Sequence, residues 1–251
     1  CVKYPEIMFY LYASFAPLLL QIVDAPNFII NIGFSADIDK KAIMEIATSI
    51  WCSPSKIYEQ FMETGRYISI EHLAFLFNHL PIYIYTHSDR ETSVVDNLYK
   101  LFNGTENFRE HLTKNGCHTI IFYSGRRKEF IEFHRKKGRV IEFYSIPFVE
   151  EVNISEVITK IKTDINFNFG FAGPIFIEEL IKRIKNKSNR CLKEEYEFIA
   201  SELEKLCNDT AQTLMAKYFA IIQLAGKVAE EIFHFGGDPE NITRNLFLHN
   251  Y

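Results

Sequence analysis

The sequence predicts an α/β fold with a central, largely parallel sheet, followed by an all-helical C-terminal part. Three observations carry that expectation. From residue 26 to about 148, short apolar runs alternate with helical patterns, which is how strands joined by crossover helices read. The runs are apolar along their whole length, as strands covered on both faces are. After Pro147 only helical periods remain: Leu214, Tyr218, Ile221, Ile222, Ala225, Val228 and Ile232 keep the i, i+3/i+4 spacing of a core-facing stripe.

Composition agrees. At 251 residues, with 47% apolar, 15% aromatic and 24% charged side chains, the chain has ample length for a packed core. The net charge of -4 argues against a globally basic nucleic-acid binder. Cys1, Cys52, Cys117, Cys191 and Cys207 are odd in number and form no C-x-x-C pair. They point away from zinc or a disulfide framework and towards a reducing cytoplasm. Sequons at Asn103, Asn153, Asn208 and Asn241 follow no signal peptide and read as chance. The apolar run 7–23 is interrupted by Ser14, Pro17 and Gln21 and is too short for a membrane span. It reads as a buried helix broken near Pro17. Opening on Cys1 rather than Met, the chain reads as a piece of a longer polypeptide.

Three divisions follow: an N-terminal helical segment (1–25), an α/β core (26–148) and a helical C-terminal subdomain (149–251). In the core, strands are expected at 28–32, 81–85, 118–123 and 140–146. Helices are expected at 40–51, with Ile43, Ile46, Ala47 and Ile50 on one face, at about 70–80, and at about 93–102. Beyond it, 155–163 is helical. Gly170-Phe171-Ala172-Gly173-Pro174 is a turn launching a helix at 175–184 with Pro in its first turn. Helices at about 192–207 and 211–235 follow, the last stopped by Gly236-Gly237.

The strand at 28–32, the glycine-started turn from Gly33 and the helix from Lys40 form the layout of a phosphate-binding loop, whose backbone N–H groups and helix N-terminus hold phosphates. The residues that do the chemistry differ. Where Gly-Lys-Ser/Thr belongs, the chain has Ile38-Asp39-Lys40. A carboxylate about 4 Å from a phosphate charge costs on the order of 4 kcal/mol at an effective dielectric of ~20. Lys40 and Lys41 stand nearby, but one or two helical steps rotate a side chain away from the original direction. The strand at 81–85 tests this reading independently. An active site ends that strand in an acidic pair that holds magnesium; here it ends in Tyr85-Thr86, and a tyrosine is no anionic ligand at neutral pH. Asp89 and Glu91 read as solvated loop residues.

In order, Phe15-Ala16-Pro17-Leu18-Leu19, Gly33-x-Ser35, Ala47-Thr48-Ser49-Ile50-Trp51-x-x-Pro54, Leu73-Ala74-x-x-x-Asn78-x-Leu80-Pro81, Asn103-Gly104 with Arg109, Ile120-Ile121-Phe122-Tyr123-Ser124-Gly125, Gly138-Arg139-Val140-Ile141-Glu142 and Gly170-Phe171-Ala172-Gly173-Pro174 resemble one family. It is the helicase domain of replication proteins of bacterial mobile elements such as cassette chromosomes, catalogued as domain-of-unknown-function family 927 and similar to MCM-like and superfamily III helicases of the AAA+ class. The resemblance covers about residues 12–235. It implies a P-loop, AAA+-like core in which Gly33, Ser35, Asp39, Lys40 and Lys41 are remnants of the nucleotide loop. It places Ser124 at a sensor position and Arg139 at a finger or sensor position on a subunit boundary. Asp39 for Lys, Lys40 for Thr, Tyr85-Thr86 for the acidic pair and Arg126 for Glu depart from the family pattern together.

Arg126, Arg127, Lys128, Arg135, Lys136 and Lys137, with His134 and Arg139, lie within fourteen residues and are interleaved with Phe130 and Phe133. Basic residues with aromatics suit DNA backbone and bases; a solvated basic loop is the competing reading. His72, His79, His87 and His118 lack metal-ligand spacing, and Lys182, Arg183, Lys185, Lys187 and Arg190 read as a solvated helix end. The leading expectation is a catalytically degenerate helicase-like domain that acts in DNA replication or maintenance without hydrolysis. It would bind DNA or dock in a homo- or hetero-oligomer of AAA+-like subunits, with no cofactor, no metal and no membrane. A divergent active ATPase using ATP and magnesium, and a purely structural interaction module, are the alternatives.

Overall fold

The computed structural model describes residues 5–32, 40–54, 76–85, 118–124, 140–142 and 154–250. Over these residues the protein is mostly helical around a small parallel sheet. The expected helices near 70–80 (apart from its last residues) and 93–102 lie outside them, as do residues 143–146 of the fourth strand.

The N-terminal run forms α1 (Pro5–Phe15) and α2 (Pro17–Val23). The break falls at Ala16, because Pro17 has no N–H to continue the first helix but suits the first turn of the next. The strands are β1 (Phe28–Asn31), β2 (Ile82–Tyr85), β3 (Ile120–Ser124) and β4 (Val140–Glu142). They pair in parallel in the order β2-β3-β1-β4. One face, carrying Phe28, Ile30, Ile120, Phe122, Ile141 and Tyr83, joins the main core. Phe28 stacks on Tyr218 at 4.6 Å, and Tyr83 on Phe122 at 4.8 Å. Ile29, Ile121 and Tyr123 on the other face are just as buried, which explains runs without polar alternation.

Helix α3 (Lys40–Thr48) follows β1 and lies on the core face, burying Ile43, Met44 and Ala47. After β4 come α4 (Ile154–Phe167), α5 (Ala172–Glu204), α6 (Thr210–Phe233) and α7 (Pro239–Asn250). The sequence reading places two helices at 175–184 and 192–207. The backbone is instead helical without interruption from Ala172 to Glu204, since no Gly or Pro occurs after Pro174 to stop it. The axis nevertheless bends. Arg183 and Glu195 approach to 3.7 Å, whereas twelve residues of straight helix span about 18 Å, beyond the reach of both side chains. The polar run Asn186-Lys187-Ser188-Asn189 lies between them.

Two further boundaries rest on local signals. Asp209 caps α6 by accepting from Gln212 N–H at 2.8 Å, while the Gln212 side chain accepts from Asn208 N–H. Helix α6 ends at Phe233, earlier than the Gly236-Gly237 pair, because His234 itself adopts the left-handed conformation at φ 53°. Helix α7, which the sequence reading does not contain, starts at Asp238-Pro239; Asp238 accepts from Asn241 N–H at 3.0 Å. Helix α6 is the centre of the helical part, packed against α1, α5 and α7, with Phe219 touching Phe9 at 5.3 Å and Phe247 at 5.4 Å.

Candidate functional site at the carboxyl edge of the sheet

In an open parallel sheet, ligands bind beyond the carboxyl ends of the strands, where neighbouring connections leave in opposite directions. Here β1 connects to β2 across β3, and β3 connects to β4 across β1. By that rule the candidate site is at the carboxyl ends of β1 and β3. Ile32 extends the pairing past β1 by donating its N–H to Tyr123 O at 2.8 Å. The turn carrying Gly33, Ser35 and Asp39 lies outside the described residues, and α3 begins at Lys40 on its far side.

Register orders the edge. Tyr85 pairs with Ser124, and Asn31 stands between Tyr123 and Glu142. The sensor candidate thus stands beside the strand end where acidic residues are expected, and that end is tyrosine. Among the described residues no group of three or more His, Cys, Asp or Glu is placed to hold a metal ion.

Of the candidate cations, Lys41 is 3.9 Å from Glu45, whose other oxygen is held by Lys162 of α4 at 3.1 Å. Lys41 is thus engaged along α3. Arg139 lies outside the described residues; it precedes Val140, which opens β4 at the amino edge, opposite Ser124. Arg126, Arg127, Lys128, Phe130, Phe133, Arg135, Lys136 and Lys137 also lie outside, in the connection from β3 to β4.

Residues in and beside the motifs hold neighbouring elements together. Ser14 Oγ donates to Ala47 O at 2.9 Å, lies 2.6 Å from Tyr83 Oη, and accepts from Trp51 Nε1 at 3.0 Å. Tyr83 Oη also donates to Ala47 O at 2.9 Å. Complete burial pushes the Tyr83 phenol well above its ordinary range, against the smaller opposing effect of its hydrogen bond with Ser14. Trp51 lies flat against Gly173, where any Cβ would collide with the indole. Gly170 N–H donates to Ser49 O at 2.7 Å and Gly173 N–H to Ile50 O at 2.9 Å. Two sequence motifs thus meet at the joint between α3 and α5. Asn78 accepts from His118 N–H at 2.9 Å, and the His79 and His118 rings stack at 5.4 Å. Burial raises the Cys52 thiol to about 11, which suppresses the reactive thiolate. The one sign of the Ser14 network in the sequence is a serine interrupting an apolar run.

The cationic run on α5 is in the interior of that helix rather than at its end. Lys182 pairs with Glu178 and Glu179, Arg183 with Glu231, and Arg190 with Glu194. No helix among the described residues is long and apolar enough to cross a membrane.

Residues 1–115 match the family model described as a domain of unknown function, DUF927. No curated protein matches the chain. A solved structure titled "SCCmec type IV Cch - active helicase" is similar in fold, with a TM-score of 0.65 at 18% identity. The similarity covers 98% of this chain but 46% of that one, so the chain spans about half the length of its structural relative. Residues 1–115 are thus similar to the DUF927 domain, and the chain is similar in fold, along almost its whole length, to part of a chain titled a helicase.

Proposed function

We propose that this chain is a catalytically degenerate, AAA+-like domain of a mobile genetic element. It serves DNA replication or maintenance as a non-hydrolysing subunit that binds DNA or docks with AAA+-like partners. The observation that carries the reading is the carboxyl edge: β2 ends in Tyr85, in register with Ser124, at the strand end where the family pattern has an acidic pair. Asp39 at the loop-lysine position and the engagement of Lys41 with Glu45 support it. Nucleotide chemistry requires cations facing the phosphates and carboxylates facing the metal, and both sets are displaced. The DNA role rests on the basic-aromatic residues 126–137.

Thermal shift and hydrolysis assays with Mg-ATP, with and without single-stranded DNA, test this reading. Absence of turnover with salt-dependent DNA binding is the expected result. Turnover lost in Lys40→Ala would replace it with the second reading, a divergent active ATPase, which the shared fold with a chain titled an active helicase supports.

A further inference from the structure

The last carbonyls of an α-helix have no partner inside it, and neither do its first N–H groups. At the end of α3 these two needs are met between helices. Ser49 O and Ile50 O, just past Thr48, accept from Gly170 N–H at 2.7 Å and Gly173 N–H at 2.9 Å, and Gly173 lies in the first turn of α5. The negative end of one helix dipole thus meets the positive end of the other. Ala47 O accepts from the Ser14 and Tyr83 hydroxyls, both at 2.9 Å. Trp51 fills the joint: Nε1 donates to Ser14 Oγ at 3.0 Å, and the ring lies where a Cβ on residue 173 would stand. The Phe15 ring bridges Trp51, at 6.2 Å, and Phe176 of α5, at 4.5 Å.

A second tie lies on the other side of the same turn. Lys162 of α4 is 3.1 Å from Glu45, whose side chain is 12% exposed, and α4 runs on into Gly170. The α4–α5 turn is therefore fastened to α3 both before and after it. Helix α3 has nine residues and spans about 12 Å from first to last, too short to bend, so it moves as one body. Its first residue, Lys40, stands at the carboxyl edge of the sheet. We propose that α3, α4 and the start of α5 form a relay, in which a displacement at the α4–α5 turn shifts α3 at the sheet edge. Packed rings, hydrogen bonds and a rigid helix are what carries coupling between distant points, and linkage makes it act in both directions. The candidate site is thereby adjustable from the opposite end of α3. The coupling is a property of the chain itself and does not depend on nucleotide binding.

Amide hydrogen exchange of the whole chain, read residue by residue, tests it. Gly173→Ala forces the indole aside, whereas Trp51→Phe keeps a ring in the joint and removes only the N–H donated to Ser14. Gly226→Ala, whose Cβ would lie 2.8 Å from the Tyr12 ring, disturbs the α1–α6 contact instead and serves as the control. Exchange at the Met44 and Glu45 amides, a turn away from the joint, is expected to rise about tenfold in both joint variants and to stay within about twofold in the control. In the reverse direction, Glu45→Gln cuts the tie to Lys162, and exchange at Gly170 and Gly173 should rise about threefold. If Gly173→Ala does not fold, Trp51→Phe decides alone. Met44 and Glu45 protection unchanged in Trp51→Phe would overturn the relay. So would an equal rise in Gly226→Ala, which would mean general loosening, or unchanged Gly170 and Gly173 protection in Glu45→Gln.

Discussion

The helical part and the carboxyl edge of the sheet meet different demands. Around α6, several polar side chains find partners within the same packed unit. Tyr12 donates to Glu230, whose carboxylate also accepts from Gly236 and Gly237 N–H at 2.8 and 3.0 Å. Thr243 donates to Gln223 Oε1 at 2.9 Å. The sheet edge keeps its strand register, but it carries Asp39 and Tyr85 where the family pattern has a lysine and an acidic residue. Packing positions are tied to neighbours of fixed shape, so a change there costs stability. Positions at the strand ends are expected to be less tightly tied, so that a change there leaves the fold standing.

Substitutions can break that contrast. The largest effect is expected at Gly226, where a Cβ would lie 2.8 Å from the Tyr12 ring: Gly226→Val should cost about 3 kcal/mol or more, read as a lower urea midpoint. Glu230→Ala strands the Tyr12 hydroxyl and two N–H groups and should cost roughly 2–3 kcal/mol by the same measure. Ser14→Ala removes the shared partner of Tyr83 and Trp51; about 1–2 kcal/mol is expected, with a change in emission from the single tryptophan.

A pH series sharpens the comparison at the amino edge. Burial lowers the His79 pKa below 6.5, so the folded state favours neutral imidazole. Between the lowered value and 6.5 the unfolded chain binds more protons, and stability rises with pH. The contribution is present above pH 6.5 and is lost as pH falls through the folded value. His79 sits at φ 66°, a conformation asparagine tolerates, so His79→Asn should flatten the acid limb of stability without unfolding the chain. An unchanged acid limb would remove His79 as its source. The smallest effect is expected at Lys41, 46% exposed and 3.9 Å from Glu45: Lys41→Ala should shift stability by about 0.5 kcal/mol or less. A larger loss would mean that the sheet edge is as tightly tied as the helices.

Legibility followed locality. The strands at Phe28, Ile82 and Ile120 were readable because burial on both faces leaves unbroken apolar runs, and α6 because its stripe from Leu214 to Ile232 spans about five turns. Helix α7 was missed although Asp238-Pro239 is a start signal, since Gly236-Gly237 drew attention to a stop. The continuity of α5 was missed because a polar stretch without Gly or Pro can be a loop or a solvated helix, and periodicity does not separate them. At the candidate site, the residue types at Asp39 and Tyr85 were plain in the sequence. The neighbours of Tyr85 were not, because strand order depends on pairings between residues far apart in the chain.

By itself the sequence determined which segments bury their side chains and which residue types stand at the glycine turn and the ends of the strands, since both depend on nearest neighbours along the chain. The tertiary structure alone decided that Tyr85 stands beside Ser124, that Ser14 joins Tyr83 to Trp51, and that Gly173 makes room for that indole. Those contacts span tens to more than a hundred residues of sequence. They exist because a twisted parallel sheet and its covering helices leave few ways to satisfy buried hydrogen bonds and fill space together.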